Sequence, residues 1–284
     1  MAIERIHSSD TQLFINDQRV PAVVSLSLSS SKKLTDIQRL GSLNVTNRIL
    51  NSDQSTKIDI GINLTTGATG IDPFYSFQQM QSGFLSTGEF DFKIKDAGGV
   101  TTVSGGSLVS YSLDGSVGDL VKGTTSYEGD GAIFTPVGAI TIEDQSTDQF
   151  GGFFRPRDIE ITSTTNGDEG IDTASLNIQN FSLSVEVGRK AVTRLGTRVS
   201  QFRYPELPSN GTLSFSVIKT KASGINISSL ICESGVILID LKDIDDNSVM
   251  NFATSGCCLE SVDESTNLDD NTEIKFSYNF PIIQ

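Results

Sequence analysis

The chain has one histidine, His7, in the N-terminal segment MAIERIHSSDTQLFI, which is expected to be loose. Histidine is the usual base behind a serine or cysteine nucleophile, so no Ser-His or Cys-His pair here has a credible base. The three cysteines, Cys232, Cys257 and Cys258, lack metal-ligand spacing. Two are adjacent and the set is odd, which reads as reduced thiols packed as small apolar side chains rather than a disulfide framework. The acid-rich stretches GDEGID at 167–172 and DIDDNS at 243–248 come nearest to calcium loops. Neither gives the D-x-[DN]-x-[DN]-G pattern with its distant glutamate. Adjacent carboxylates such as Asp245 and Asp246 are the residue type that acts on glycosidic bonds, but in loops this acidic they read as solvated turns. No Gly-rich segment follows a strand and opens a helix, so the phosphate-loop pattern is missing. The expectation is a protein that is not an enzyme and uses no cofactor or metal.

Bulk properties agree with that. At 284 residues the chain is long enough for two ordinary domains. Apolar residues make up 37% and charged residues 20%, as in a globular protein. No apolar run approaches the ~18 residues of a membrane helix, and the N-terminus lacks the apolar core of a secretory signal. A protein made in the cytoplasm, with no membrane insertion, is expected. The net charge is −14 and evenly spread: residues 1–150 carry 10 basic and 17 acidic side chains, residues 151–284 carry 11 and 18. A protein that wraps nucleic acid needs clustered Lys and Arg to displace counterions, so that class is disfavoured. The absence of tryptophan weakens a carbohydrate-binding reading as well.

The elements that must carry any function are strands. Val24-Leu26-Leu28, Ile58-Ile60-Ile62-Leu64, Phe90-Phe92-Ile94, Ile159-Ile161, Phe181-Leu183-Val185, Leu213-Phe215-Val217 and Ile237-Ile239-Leu241 alternate with polar residues at period two, the mark of half-buried strands. Turn-forming clusters such as DAGGVTTVSGG and LPSNGT separate them. Only two stretches look helical: residues 72–81, where Asp72 can cap and Pro73 takes the first helical position, and the shorter 226–234. The expected fold is all-β with one short helix per half.

The halves also resemble each other. QRLGS at 38–42 and TRLGT at 193–197 match at an offset of 155, which also pairs Arg48 with Arg203 and Ile58-Ile60-Ile62 with Leu213-Phe215-Val217. Ser25–Leu28 falls on Ser182–Val185 at 157. Phe92, Ile94, Lys95 and Asp96 fall on Ile239, Leu241, Lys242 and Asp243. At 151, Gly105, Leu108, Ser110, Asp119 and Ser126-Tyr127 fall on Gly256, Leu259, Ser261, Asp270 and Ser277-Tyr278. A tandem duplication is expected, with domains at 1–150 and 151–284.

The repeated unit resembles the tail tube protein of long-tailed bacteriophages. It has an opening hairpin, LFINDQRVPAVVSLSLS, a long hairpin through KKLTDIQRLGS, an alternating strand, a short helix, another strand, and a closing pair of strands in GSLVSYSLDGSVGDLVKGTTSYEGD. That family has β-sandwich domains with a flanking helix. The resemblance implies two tandem tail-tube-type β-sandwich domains in a virion protein of the phage tail. The form with fused domains, as in T5-like phages, makes trimeric, pseudo-hexameric rings that stack into a hollow tube. The implied partners are further copies of the chain, other tail proteins at the tube ends, and phage DNA passing through the lumen without specific binding. Basic residues concentrate in the loops after each first strand: Lys32, Lys33, Arg39 and Arg48 in one, and Arg189, Lys190, Arg194, Arg198 and Arg203 in the other. On an acidic protein they are the expected ring-stacking contact. The rival expectations are a distal-tail or baseplate hub ring and, in another class, an adhesin-type β-sandwich.

Overall fold

A computed structural model describes residues 11–20, 22–31, 34–37, 47–50, 55–65, 90–131, 133–136, 152–155, 159–164, 177–194, 200–206, 209–218, 235–242, 245, 247–265 and 272–281. Among these residues the regular structure is all strand, with no helix. The first half contributes β1 (Gln12–Ile15), β2 (Gln18–Arg19), β3 (Val23–Ser31), β4 (Leu34–Ile37), β5 (Asn47–Leu50), β6 (Ser55–Asn63), β7 (Phe90–Asp96), β8 (Gly99–Ser116), β9 (Lys122–Asp130) and β10 (Ile133–Pro136). The second contributes β11 (Ile159–Thr164), β12 (Asn177–Glu186), β13 (Arg189–Thr193), β14 (Ser200–Pro205), β15 (Asn210–Ile218), β16 (Gly235–Lys242), β17 (Ser248–Ser265) and β18 (Glu273–Pro281). The two expected helices, the GDEGID loop and the boundary at 150 and 151 lie outside the described residues.

One antiparallel sheet runs the length of the fold in the order β3-β6-β9-β8-β12-β15-β18-β17. The order is one four-strand pattern used twice, and its irregularities recur. Leu108 faces Tyr127 and, after a bulge, Ser110 faces Ser126. Leu259 faces Tyr278 and, after a bulge, Ser261 faces Ser277. Just before each bulge stands a glycine in the left-handed region, Gly105 at φ 67° and Gly256 at φ 68°, where a side chain would be strained. The pairings alter one sequence match. Leu28 faces Ile58 and Leu183 faces Leu213, so β3 corresponds to β12 at 155, not at the 157 read from the Ser-Leu alternation. An alternating strand looks the same after a slip of two residues, and only its partner fixes the register.

β8 and β17, 18 residues each, serve two layers. Their second halves lie in the long sheet, while their first halves pair with β7 and β16, which in turn carry β1 and β11. The hairpin joining β1 to β2 turns on Asn16 and Asp17 at φ 50° and 65°, the conformation a two-residue turn needs to follow the strand twist. Phe92 of β7 lies 4.8 Å, ring to ring, from Tyr127 of β9, though those strands share no ladder. The second layer therefore folds over the apolar face of the long sheet. The alternating residues read from the sequence meet there: Ile58, Ile60, Phe92, Leu183, Leu213, Phe215 and Ile239 are buried in one core.

Cys258 is disulfide-bonded, which corrects the expectation of reduced thiols throughout. Neighbouring strand residues point to opposite faces, so Cys257 is a free thiol buried in the core while Cys258 is exposed. An adjacent pair in a strand therefore splits into one bridged and one buried cysteine. Cys232 lies outside the described residues.

Candidate functional site

The face of the long sheet opposite the core is made of short hydroxyl and charged side chains. Directly opposed residues of antiparallel strands share a face, so its rows follow from the register. One row runs Lys122, Asp114, Ser182, Ser214, Ser277, Ser261 across six strands. Another runs Thr124, Ser112, Ser184, Thr212, Asn279. The hydroxyls bond across strands, as between Ser184 and Thr212 at 2.8 Å and Ser31 and Ser55 at 3.0 Å. Asp59 is the best-held carboxylate on this face. Burial works against its charge, but hydrogen bonds from Ser126 (2.6 Å) and Ser27 (3.2 Å) and the Lys57 ammonium at 3.1 Å outweigh it. Its pKa lies below the ordinary 3.8 as a result. Among the described residues this face is therefore polar, with hydroxyls bonded across the strands.

The second feature is the seam between the two four-strand patterns. β8 and β12 pair from Asn180–Ser116 to Glu186–Ser110. The ladder is extended by Val117 N–H to the Gln179 carbonyl at 2.8 Å and Val187 N–H to the Val109 carbonyl at 2.7 Å. Packing crosses the seam as well. Tyr111 lies 6.1 Å from Phe252, ring to ring, and a Cβ at Gly115 would fall 2.4 Å from the Phe181 ring, so glycine there lets the strands close.

Beyond the Glu186 end of the seam, against Gly105 and Leu108 of β8, lies the hairpin formed by β13 and β14. Arg203, only 3% exposed, donates from its guanidinium to Asp130 Oδ1 at 2.9 Å and to the Gly105 carbonyl at 3.1 Å. Ser200 Oγ donates to the same Asp130 oxygen at 2.7 Å. Arg189 Nε donates to the Leu108 carbonyl at 2.7 Å, and burial lowers its pKa. A hairpin of the second half thus clasps the bulged corner of the first. The two carbonyls flank the irregular stretch that runs from the left-handed Gly105 to the bulge after Leu108.

The expected basic residues consequently separate. Arg189 and Arg203 are engaged within the chain, both with the corner beyond the Glu186 end of the seam. Lys190 and Arg194 are exposed on the same hairpin. Arg48 lies in β5, opposite Asp36 of β4. Lys32, Lys33, Arg39 and Arg198 lie outside the described residues. Asp130 and Ser200, which complete the clasp, carry no signal in the sequence. Asp130 sits 73 residues from Arg203, in a chain with many acidic loop residues. Among the described residues, no three His, Cys, Asp or Glu side chains gather as a metal site.

At the β3 end of the sheet a groove of about 580 Å³ is lined by Val20, Val23, Val24, Leu26, Leu28 and Ile94, among others. Leu28 is 39% exposed, whereas Leu183, its counterpart on β12, is 2% exposed. No described strand pairs with the outer edge of β3 or of the C-terminal half of β17. No protein-family model matches the chain, and no curated protein matches it as a relative.

Proposed function

We propose that this chain is a structural subunit that assembles with itself, two copies of one β unit per chain, into rings stacked as the tail tube of a long-tailed phage. The observation that carries the proposal is the β8–β12 seam. It joins the last strand of one four-strand pattern to the first strand of the next, and it leaves an equivalent last strand, β17, and an equivalent first strand, β3, at the two ends. A head-to-tail join of that kind repeats until it closes, and closure removes exposed sheet edges. Three chains per ring, giving six units, follows from the resemblance. The hydroxyl-rich face then lines the lumen, where carboxylates such as Asp59, Asp114 and Asp263, together with the net charge of −14, repel DNA phosphates so that a genome slides through. The chain acts as no enzyme in this scheme, and its place is the virion. Lys190 and Arg194, exposed on the clasping hairpin, are the stacking contacts toward the acidic face of the next ring.

Negative-stain microscopy of the concentrated, purified chain tests this. Long hollow tubes are expected. Isolated rings would instead favour a distal-tail or hub component, and persistent monomers that bind a ligand would favour the adhesin-type sandwich.

A further inference from the structure

The corner that receives Arg203 exists a second time in the chain. Gly256 repeats Gly105 in backbone conformation, and Leu259 repeats Leu108 ahead of the same bulge. Pro281 takes the place of Asp130: Asp130 faces Ser55 on β6, and Pro281 faces Asn210, the corresponding residue of β15. A Cβ built on Gly256 would stand 3.4 Å from the Pro281 ring, so the two line one socket. The hairpin that supplies the clasp is repeated as well. β4 and β5 pair as β13 and β14 do, with Arg48 at the position of Arg203.

The acid partner differs between the two. Arg203 faces Ala191 across its hairpin and finds its carboxylate, Asp130, in the socket. Arg48 faces Asp36 across its own hairpin, and the corresponding socket offers proline. The socket supplies the acid for Arg203, whereas the position across the strand pair from Arg48 is itself an acid. A buried guanidinium needs such a partner, and proline cannot provide one.

We infer that the socket formed by Gly256, Leu259 and Pro281 receives the β4–β5 hairpin of a second copy of this chain, with Arg48 bonded to the Gly256 carbonyl and neutralised by Asp36. This rests on the self-assembly proposed above and adds the chemistry of the joint. The seam inside the chain holds its arginine with a socket acid, while the seam between chains carries its acid in on the arriving arm.

Dissociation of the full-length assembly on dilution, followed by sedimentation velocity, tests the exchange. Asp36→Ala brings Arg48 into a socket without an acid and is expected to weaken association about tenfold or more. Adding Pro281→Asp rebuilds the internal arrangement and is expected to restore association to within about threefold of the parent. Arg48→Ala should remove that rescue. Asp36→Asn, which keeps the side-chain shape, should weaken association like Asp36→Ala, and thermal melting of each variant separates lost association from lost folding. Association unchanged by both Asp36 variants, a loss that Pro281→Asp does not restore, or a parent chain that stays monomeric would each overturn the inference. Rings that obey these expectations but never stack would end the tube reading and keep the joint. Tubes indifferent to Asp36 would end the joint and keep the tube.

Discussion

Arg203 shows how much one side chain can hold at a joint. Its guanidinium is 3% exposed and ties Asp130 and the Gly105 carbonyl to the hairpin above them. Asp130→Ala should leave that charge buried without its partner, and the expected cost is about 3–5 kcal/mol in urea unfolding. Arg203→Ala combined with Asp130→Ala should cost less than the sum of the two, since each alone strands the other. A second residue-scale expectation concerns alkaline pH. Burial, with the nearby Cys257, raises the Tyr278 phenol well above its ordinary 10.0, and burial raises the Cys257 thiol above 9.0. Both groups stay protonated in the fold longer than in the unfolded chain. Their contribution is therefore complete below pH 9 and falls as pH rises past those ordinary values. Tyr278→Phe should flatten the loss above pH 10 in melts taken across the alkaline range. The arginine motif could be read from the sequence because it recurs with its corner. Asp130 could not, because what selects it is proximity across 73 residues.

At the scale of strands, position in the sheet decides what an identical pattern is worth. β3 and β12 carry the same alternation and occupy equivalent places, yet Leu183 is buried against β8 while Leu28 lies at an edge. Leu183→Ala should cost about 2–5 kcal/mol of unfolding free energy. Leu28→Ala should change the isolated chain by no more than about 0.5 kcal/mol. Its effect should emerge in assembly, as weaker association in the sedimentation measurement. Equal costs for the two leucines in a monomeric state would contradict the edge role of β3. Strand existence was legible from period-two alternation. Register was not, as the shift from 157 to 155 for β3 shows, because alternation is blind to a slip of two residues.

For the whole molecule, the stacking proposal turns on charge in the two basic segments that follow β3 and β12. Reversing both Arg39 and Arg194 to Glu should stop tube polymerisation while leaving folded, ring-forming subunits, seen by microscopy beside circular dichroism. Normal tubes from that double variant would remove the stacking role. A neutral or basic lumen in an assembled ring would likewise remove the repulsion that lets DNA slide. The all-β class, the alternating core residues and the recurrence of the arginine corner were determined by sequence alone, because composition and periodicity are local properties of the chain. The tertiary structure decided that the two patterns share one sheet, that the second hairpin clasps the first corner, and that one adjacent cysteine is bridged while the other is buried. Each of those depends on which distant residues become neighbours, and in a sheet that is set by pairing between strands far apart in the chain.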